Sequence, residues 1–381
     1  MSAPSDRPRK RLPVNPSLEH LRKQAKRLSK SRPDLSLQQA QHQLALDYGC
    51  ANWTELSRVV DTMSRGATEA TSGKHDMEPL PAAANRNDLD AVRRILSDGP
   101  FTRHDLDLAL ARAVLRFNER KAIAEALIDA GADPDGQYGA NYGPIVFVTG
   151  ECLDPDGLQF LIDHGADVTF PSVDTKYGGA TPMSYVLGAY MRGANERKHR
   201  CIDILLKHGA AVPSEVTEPM LAIHRGDAAE LAGCIDRDPS LLARRFPDMP
   251  YGNIDLRGAG LLHLATEFGE IECLEVLLDR GADVNLRAEV IDDIGGQTPV
   301  FHAIATINGA GIPTLEHFAR RAGSQIDMTV RATFRLFGEV FGDAVTPLEY
   351  AQRSSAPEVP DWRRAGEHEV KLLGSLASRG S

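Results

Sequence analysis

Cysteine is scarce in this chain, with five among 381 residues. Cys50, Cys152, Cys201, Cys234 and Cys273 are widely separated, and none of them forms a C-x-x-C pair. A disulfide framework and a zinc ribbon both require regularly spaced cysteines, so the sequence argues against both. We expect reduced, mostly buried thiols.

Long hydrophobic runs are missing as well. No apolar stretch approaches the roughly 20 residues that cross a bilayer, and the charged N-terminus is not followed by the apolar core of a signal peptide. The sequence therefore predicts a cytoplasmic protein.

Catalytic motifs are also absent: the sequence has no H-E-x-x-H, G-x-S-x-G or G-x-G-x-x-G. The nearest approach to a phosphate loop ends at Gly73-Lys74, but Thr68 replaces the first glycine and His75 replaces the Ser or Thr that would hold magnesium. We expect no catalytic residues, no metal ligands and no cofactor, although the sequence alone leaves an enzyme open.

Charge is divided unevenly along the chain. Residues 1–32 hold ten basic side chains and two acidic ones, a net charge of +8, so the remaining residues carry −18 of the total of −10. We interpret residues 1–16 as a basic disordered arm and 17–63 as a helical N-terminal segment, because apolar residues recur there at helical spacing. Residues 64–77 lose this periodicity and are rich in Ser, Thr and Gly, as in a linker.

A repeat occupies the rest of the chain. Amphipathic stretches that close on a glycine recur at intervals of 32, 34, 44 and 72 residues, at Gly99, Gly131, Gly165, Gly209 and Gly281. A period of this size is typical of arrays in which each unit buries its apolar face against its neighbours.

The repeat units begin with related motifs. They are EPLPAA at Glu78, LALARA at Leu108, GPIVFV at Gly143, TPMSYV at Thr181, EPMLAI at Glu218, GLLHLA at Gly260, TPVFHA at Thr298 and TPLEYA at Thr346. Together with the closing Gly-Ala-Asp, they resemble the T-P-L-H-x-A pattern of ankyrin repeats. With the basic helical N-terminal segment, the chain looks like a group of uncharacterised bacterial ankyrin proteins.

The resemblance implies an all-α fold: an ankyrin-repeat solenoid of about eight helix-turn-helix units over residues 78–378, with finger loops between units. The alternating segment Thr329 to Val340 adds an expected hairpin, with Gly338 near its turn. The resemblance also implies that His263, at the motif's His position, joins one unit to its neighbour by hydrogen bonds.

The resemblance places candidate partner-binding residues in the groove and on the fingers. At the variable position of the motif, which faces the groove, stand Phe147, Tyr185, His302 and Tyr350. The expected fingers carry Tyr138, Tyr142, Tyr177, Tyr251 and Arg257. Tyrosine suits recognition because it combines a large apolar surface with a polar tip.

The sequence therefore predicts a non-catalytic module that binds another protein through its groove and fingers, with Phe147 and Tyr185 as main anchors. One alternative is an enzyme or small-molecule receptor with a pocket between long fingers, near His302, Asp292 and Asp293. The second alternative is nucleic-acid binding by the basic N-terminal segment, because Lys and Arg neutralise phosphates without reading sequence.

Overall fold

The structure, a computed structural model, forms two compact units, Met1–Pro79 with Gln137–Gly139, and Leu80–Gly136 with Ala140–Ser381. It describes residues 21, 25–26, 28–29, 32, 35, 37–48, 53, 56–57, 80–136, 143–169, 180–341 and 343–379. The expected arm (1–16) and linker (64–77) lie outside this part of the chain.

The first unit contains helix α1 (Leu37–Asp47). Its buried core includes Leu21, Ala25, Leu44 and Leu56, all within the expected helical segment 17–63.

The second unit is mostly helical. Its α-helices are α2 (Leu80–Asn85), α3 (Leu89–Asp98), α4 (Arg103–Val114), α5 (Phe117–Asp129), α6 (Pro144–Val146), α7 (Pro155–Asp163), α8 (Pro182–Leu187), α9 (Asn195–Lys207), α10 (Glu218–His224), α11 (Ala228–Arg237), α12 (Leu261–Phe268), α13 (Ile271–Asp279), α14 (Ile312–Ala322), α15 (Pro347–Ser354) and α16 (Glu367–Arg379). Short 3-10 helices span Pro239–Leu242, Pro299–Ala303, Ile307–Gly309 and Asp361–Arg363, and a π turn spans Phe147–Glu151. Within the described residues, no helix is both long and apolar enough to cross a membrane.

Helix starts follow the expected chemistry. Thr181, Thr298 and Thr346 have extended backbones directly before a proline, which pre-sets the first helical turn without losing a hydrogen bond. One expected start is wrong: Leu108 lies inside α4, which begins at Arg103 because Thr102 and Asp105 form a capping box.

Helix ends use glycine in the left-handed conformation. Gly131, Gly165, Gly209 and Gly281 have φ between +85° and +96°, where a side chain would be strained. Gly99 differs, with φ −101° and ψ 154°. Its successor is Pro100, and the residue before a proline is pushed into extended conformations.

Packing follows chain order over much of the second unit: α2 contacts α4, α4 contacts α6, α6 contacts α8, and α10 contacts α12. One continuous apolar core runs from Leu80 to Leu376. Stacked helical pairs therefore share their buried faces.

The hairpin expected near Gly338 is confirmed. Strands β1 (Arg335–Leu336) and β2 (Glu339–Val340) are antiparallel, with Arg335 opposite Val340. Phe337 and Gly338 form the turn with φ +51° and +85°, as in the two-residue turns that match strand twist. The fold is thus helical with a small β element.

Candidate interaction surface

Three long loops dominate one region of the second unit. We name them finger A (residues 246–259), finger B (residues 286–297) and finger C (residues 331–345). Finger A leads into α12, finger B follows α13, and finger C joins α14 to α15.

Backbone hydrogen bonds join the three fingers. The Asp255 N–H of finger A donates to the Arg335 carbonyl of finger C at 2.9 Å, and the Glu289 N–H of finger B donates to the Gly258 carbonyl of finger A at 2.9 Å. Gly295 donates in turn to the Thr333 carbonyl. Because each bond satisfies a backbone group that an isolated loop would leave to water, the fingers hold one another in fixed positions.

Large apolar side chains are exposed at the ends of these fingers. They are Val290 (60% exposed), Ile291 (41%), Phe337 (44%), Val340 (47%) and, beside finger C in the 3-10 helix Asp361–Arg363, Trp362 (46%). The Phe337 and Trp362 rings contact each other, with centroids 6.0 Å apart. We call these five residues the fingertip set. The repeat motif selects none of them, and the alternation in Thr329 to Val340 places Val340 on the same face as the buried Phe334.

A cavity of about 280 Å³ lies between fingers A and C. Tyr251, Asn253, Arg257 and Arg335 are among the residues that line it. Arg257 Nη2 lies 2.7 Å from Asp255 Oδ2, so its charge is neutralised within the finger. His302, Asp292 and Asp293, the polar groups of the pocket alternative, do not line this cavity.

Tyr185 and Tyr251 are both partly buried and pack against glycines. A Cβ added at Gly150 would lie 3.3 Å from the Tyr185 ring, and one added at Gly188 would lie 2.9 Å from the Tyr251 ring. Burial raises the pKa of Tyr251, while a hydrogen bond with Ser184 opposes this change. The ring of Tyr251 therefore attaches finger A to the end of α8.

Four other aromatic candidates have side chains that the structure does not describe. Tyr138, Tyr142 and Tyr177 lie outside the described residues, as does the side chain of Phe147, whose backbone begins the π turn.

The structure corrects the expected exposure of two candidates. His302 is 1% exposed and Tyr350 is 0% exposed, so neither side chain faces a groove. His302 Nδ1 lies 2.8 Å from the Glu267 carboxylate, and the Tyr350 ring packs against Phe334 and Phe341, with centroid distances of 5.0 and 4.9 Å. Finger C supplies the rings that cover Tyr350, whereas the partner of His302 lies on α12.

The loop that joins α8 to α9 (residues 188–194), an insertion relative to the repeat motif, makes a buried ionic contact. Arg192 donates from Nη2 to Glu267 Oε1 at 2.7 Å, and both side chains are 3% exposed. The same carboxylate oxygen accepts the Asn253 N–H at 2.8 Å. Burial alone would raise the pKa of Glu267, but Arg192 and His302 bring it below its ordinary value. A charged carboxylate thus ties the insertion, finger A and α12 together.

Helix α9 adds a second buried contact. Lys198 Nζ lies 2.8 Å from His224 Nδ1 of α10 and 3.6 Å from the centre of the Phe268 ring of α12. Burial lowers the pKa of Lys198 to about 7 and that of His224 well below its ordinary value. Polar side chains therefore bridge α9 to the next helix pairs.

His263 links the start of α12 to the end of finger B by hydrogen bonds. Its Nδ1 accepts the Gly260 N–H at 3.2 Å, and its Nε2 lies 3.1 Å from the Gln297 carbonyl, to which it donates. This arrangement requires the neutral imidazole with its proton on Nε2. Burial, followed by the nearby His302, lowers the pKa of His263 to about 3.

The buried His263 should make stability depend on pH. An unfolded histidine has a pKa of about 6.5, so between pH 6.5 and 3 the unfolded chain binds a proton that the folded chain refuses. The free energy of unfolding should therefore decrease as the pH is lowered from 6.5 to 3, by up to about 1.4 kcal/mol per pH unit from this residue. His263→Gln should flatten the slope measured by urea unfolding at several pH values. Replacing the exposed His368 by Gln is the control, and equal slopes for His263→Gln and wild type would contradict the assignment.

An arginine side chain lies within one group of potential metal ligands. Glu218, Glu230 and Cys234 offer ligand atoms within 4.8 Å of one another. The Arg237 guanidinium lies among them, with Nη2 2.7 Å from Glu218 and 3.3 Å from the Cys234 sulfur. The geometry is therefore that of an ion-pair cluster.

The family model for the ankyrin repeat matches residues 257–289, which contain α12 and α13. Among curated proteins, the chain is 38% identical over 87 residues to the Arabidopsis thaliana ADP-ribosylation factor GTPase-activating protein AGD4, covering 23% of this chain and 10% of that protein. It is 32% identical over 91 residues to the mouse B-cell lymphoma 3 protein homolog, covering 23% of this chain and 19% of the mouse protein.

The chain spans less than a fifth of the length of either curated relative. Among solved structures, the human ASB11 ankyrin repeat domain matches with a TM-score of 0.34 and 17% identity, over 78% of this chain and 97% of that one. The sequence evidence thus identifies an ankyrin repeat in residues 257–289 within a mostly helical protein.

Proposed function

We propose that this chain is a non-catalytic protein-interaction module, built as an ankyrin array of about eight units over residues 78–378 behind the helical segment 17–63. Support comes from the ankyrin match at residues 257–289, the helical pairs and their left-handed closing glycines. The buried free thiols Cys201, Cys234 and Cys273 are compatible with a reducing, cytoplasmic location.

The observation that carries the proposal is the combination of joined fingers with the exposed fingertip set. Because the fingers are already ordered before a partner binds, binding does not include the entropic cost of ordering them. More of the favourable contact free energy therefore contributes to affinity. Aromatic side chains such as Phe337 and Trp362 are the types that dominate binding energy at protein interfaces.

The contact area extends, in this proposal, along the fingers and groove. Tyr251 and Arg257 border the finger cavity, and Tyr185 lies partly exposed on α8. The remaining proposed contacts are Phe147, Tyr138, Tyr142 and Tyr177.

The proposal is tested by partner capture from an extract of the source organism, quantified by mass spectrometry. The double variant Phe337→Ser/Trp362→Ser should capture specific partners at least about 30-fold less than wild type, since two central aromatic contacts are each worth about 1 kcal/mol or more. Both side chains are exposed, so the fold should be unchanged by circular dichroism.

The matched control is Leu46→Ser/Tyr190→Ser, which removes two other exposed apolar side chains (47% and 43% exposed) outside the fingers. It should capture partners like wild type. If the two double variants capture the same proteins in the same amounts, the fingers are not the binding surface.

A further inference from the structure

Exposed apolar surface is concentrated at the fingers. In the described part of the chain, seven large apolar side chains are strongly exposed, and five of them form the fingertip set. Monomeric proteins seldom concentrate exposed apolar side chains without an interaction that covers them. The nearby charges indicate what the covering partner is like.

The three fingers are acidic. Together they hold seven acidic and four basic side chains, a net charge of −3. Glu289, Asp292 and Asp293 on finger B and Glu339 on finger C are exposed, and none has an ion-pair partner among the described residues.

The basic side chains of the fingers already have contacts. Arg257 pairs with Asp255, and Arg331 pairs with Glu349 at 2.9 Å. Arg287 donates to the Gly296 and Arg331 carbonyls, and Arg335 donates to the Gly338 carbonyl. None of these four guanidinium groups forms an ion pair with Glu289, Asp292, Asp293 or Glu339 within the described residues.

The carboxylates adjoin the apolar side chains. Val290 and Ile291 stand between Glu289 and Asp292 in the sequence, and Glu339 immediately precedes Val340. The Asp292–Asp293 pair forms the turn that closes the Ile291–Ile294 bridge. Unpaired negative charge thus edges the apolar side chains of finger B and Val340, whereas Arg363 lies 5.9 Å from the centre of the Trp362 ring. The acidic part of the surface selects a partner that offers apolar side chains between positive ones, because like charge would be repelled.

We propose that the fingertip set binds a basic, apolar peptide segment of another protein, in which Lys or Arg alternates with aliphatic or aromatic residues. The inference rests on the proposed function and adds the chemistry of the partner. The apolar side chains cover the fingertip set, and the cations lie against Glu289, Asp292, Asp293 and Glu339.

The test is a display selection of random 16-residue peptides against the immobilised full-length chain. The enriched peptides are then synthesised with a fluorescent label and titrated by anisotropy. We expect enrichment of Lys and Arg together with aliphatic and aromatic residues, and binding that weakens as NaCl rises.

The charge contribution is isolated by the triple variant Glu289→Gln/Asp292→Asn/Asp293→Asn. It should weaken peptide binding about tenfold at low salt, since each exposed charge pair contributes up to a few-fold. The matched control, Asp98→Asn/Asp129→Asn/Glu272→Gln, changes net charge equally at exposed positions and should stay within about twofold of wild type.

Selection of acidic or uncharged peptides would overturn the inference, as would equal binding by the two triple variants. A selection that enriches no peptide also counts against it, because a short segment suffices in this proposal. These outcomes contradict the peptide chemistry alone. The protein-binding function is tested separately, because it is supported if Phe337→Ser/Trp362→Ser captures less partner than wild type.

Discussion

Replacing Glu267 by glutamine should lower the free energy of unfolding by about 3–5 kcal/mol, the cost of leaving a buried charge without its partner. The Glu267 carboxylate is the acceptor for Arg192, for the Asn253 N–H and for His302. Arg192 is 3% exposed and cannot turn to water without opening the contact between the insertion and α12. Equilibrium unfolding in urea at pH 7 measures the effect.

Two further variants distinguish the loss of a buried ion pair from the loss of an exposed one. Glu125→Gln removes an exposed pair with Lys121 at 4.0 Å and should change stability by no more than about 0.5 kcal/mol. The double variant Arg192→Met/Glu267→Leu, which removes both charges, should be more stable than Glu267→Gln alone. A loss for Glu267→Gln as small as that for Glu125→Gln would show that the ion pair is not buried in solution.

Tyr350→Ala should cost about 3–5 kcal/mol of stability, as large-to-small replacements in a packed core do. The Tyr350 ring is fully buried between α15, finger C and the 3-10 helix at Pro299–Ala303. Its ring neighbours are Phe301, Phe334 and Phe341. Removing the ring leaves a cavity beneath finger C, and urea unfolding measures the loss.

Phe337→Ala is the control for Tyr350, because it truncates an aromatic side chain of the same region that is 44% exposed. Its effect on stability should stay below about 1 kcal/mol, while its effect on partner capture should be large. Tyr350→Ala with near-wild-type stability would mean that the ring is accessible, as the repeat motif alone suggested.

Much of the fold could be predicted because it depends on local chemistry. Thr-Pro pairs at Thr181, Thr298 and Thr346 start helical turns wherever they occur, and Gly131 closes a helix without a neighbour's help. The predicted helix start at Leu108 was wrong because the capping box at Thr102, six residues earlier, starts the helix at Arg103. The extended conformation of Gly99 also has a local cause, because Pro100 follows it.

The candidate site was harder to predict because exposure is not local. His302 and Tyr350 occupy motif positions that face the groove in a regular array, and the alignment therefore placed them on the surface. In this chain Arg192, Glu267 and the rings of finger C surround them. Phe337 and Trp362 are 25 residues apart in the sequence, and no period in it indicates that their rings meet.

The sequence by itself determined the ankyrin motif at residues 257–289, the glycine and proline positions that begin and end helices, and the hairpin at Gly338, because these depend on backbone preferences within a few residues. Only the tertiary structure decided which side chains are buried and which are exposed. Burial depends on how segments such as 189–194 and finger C pack against the helices. Local preferences do not determine this packing, because contacts such as Arg192–Glu267 join residues that are 75 positions apart.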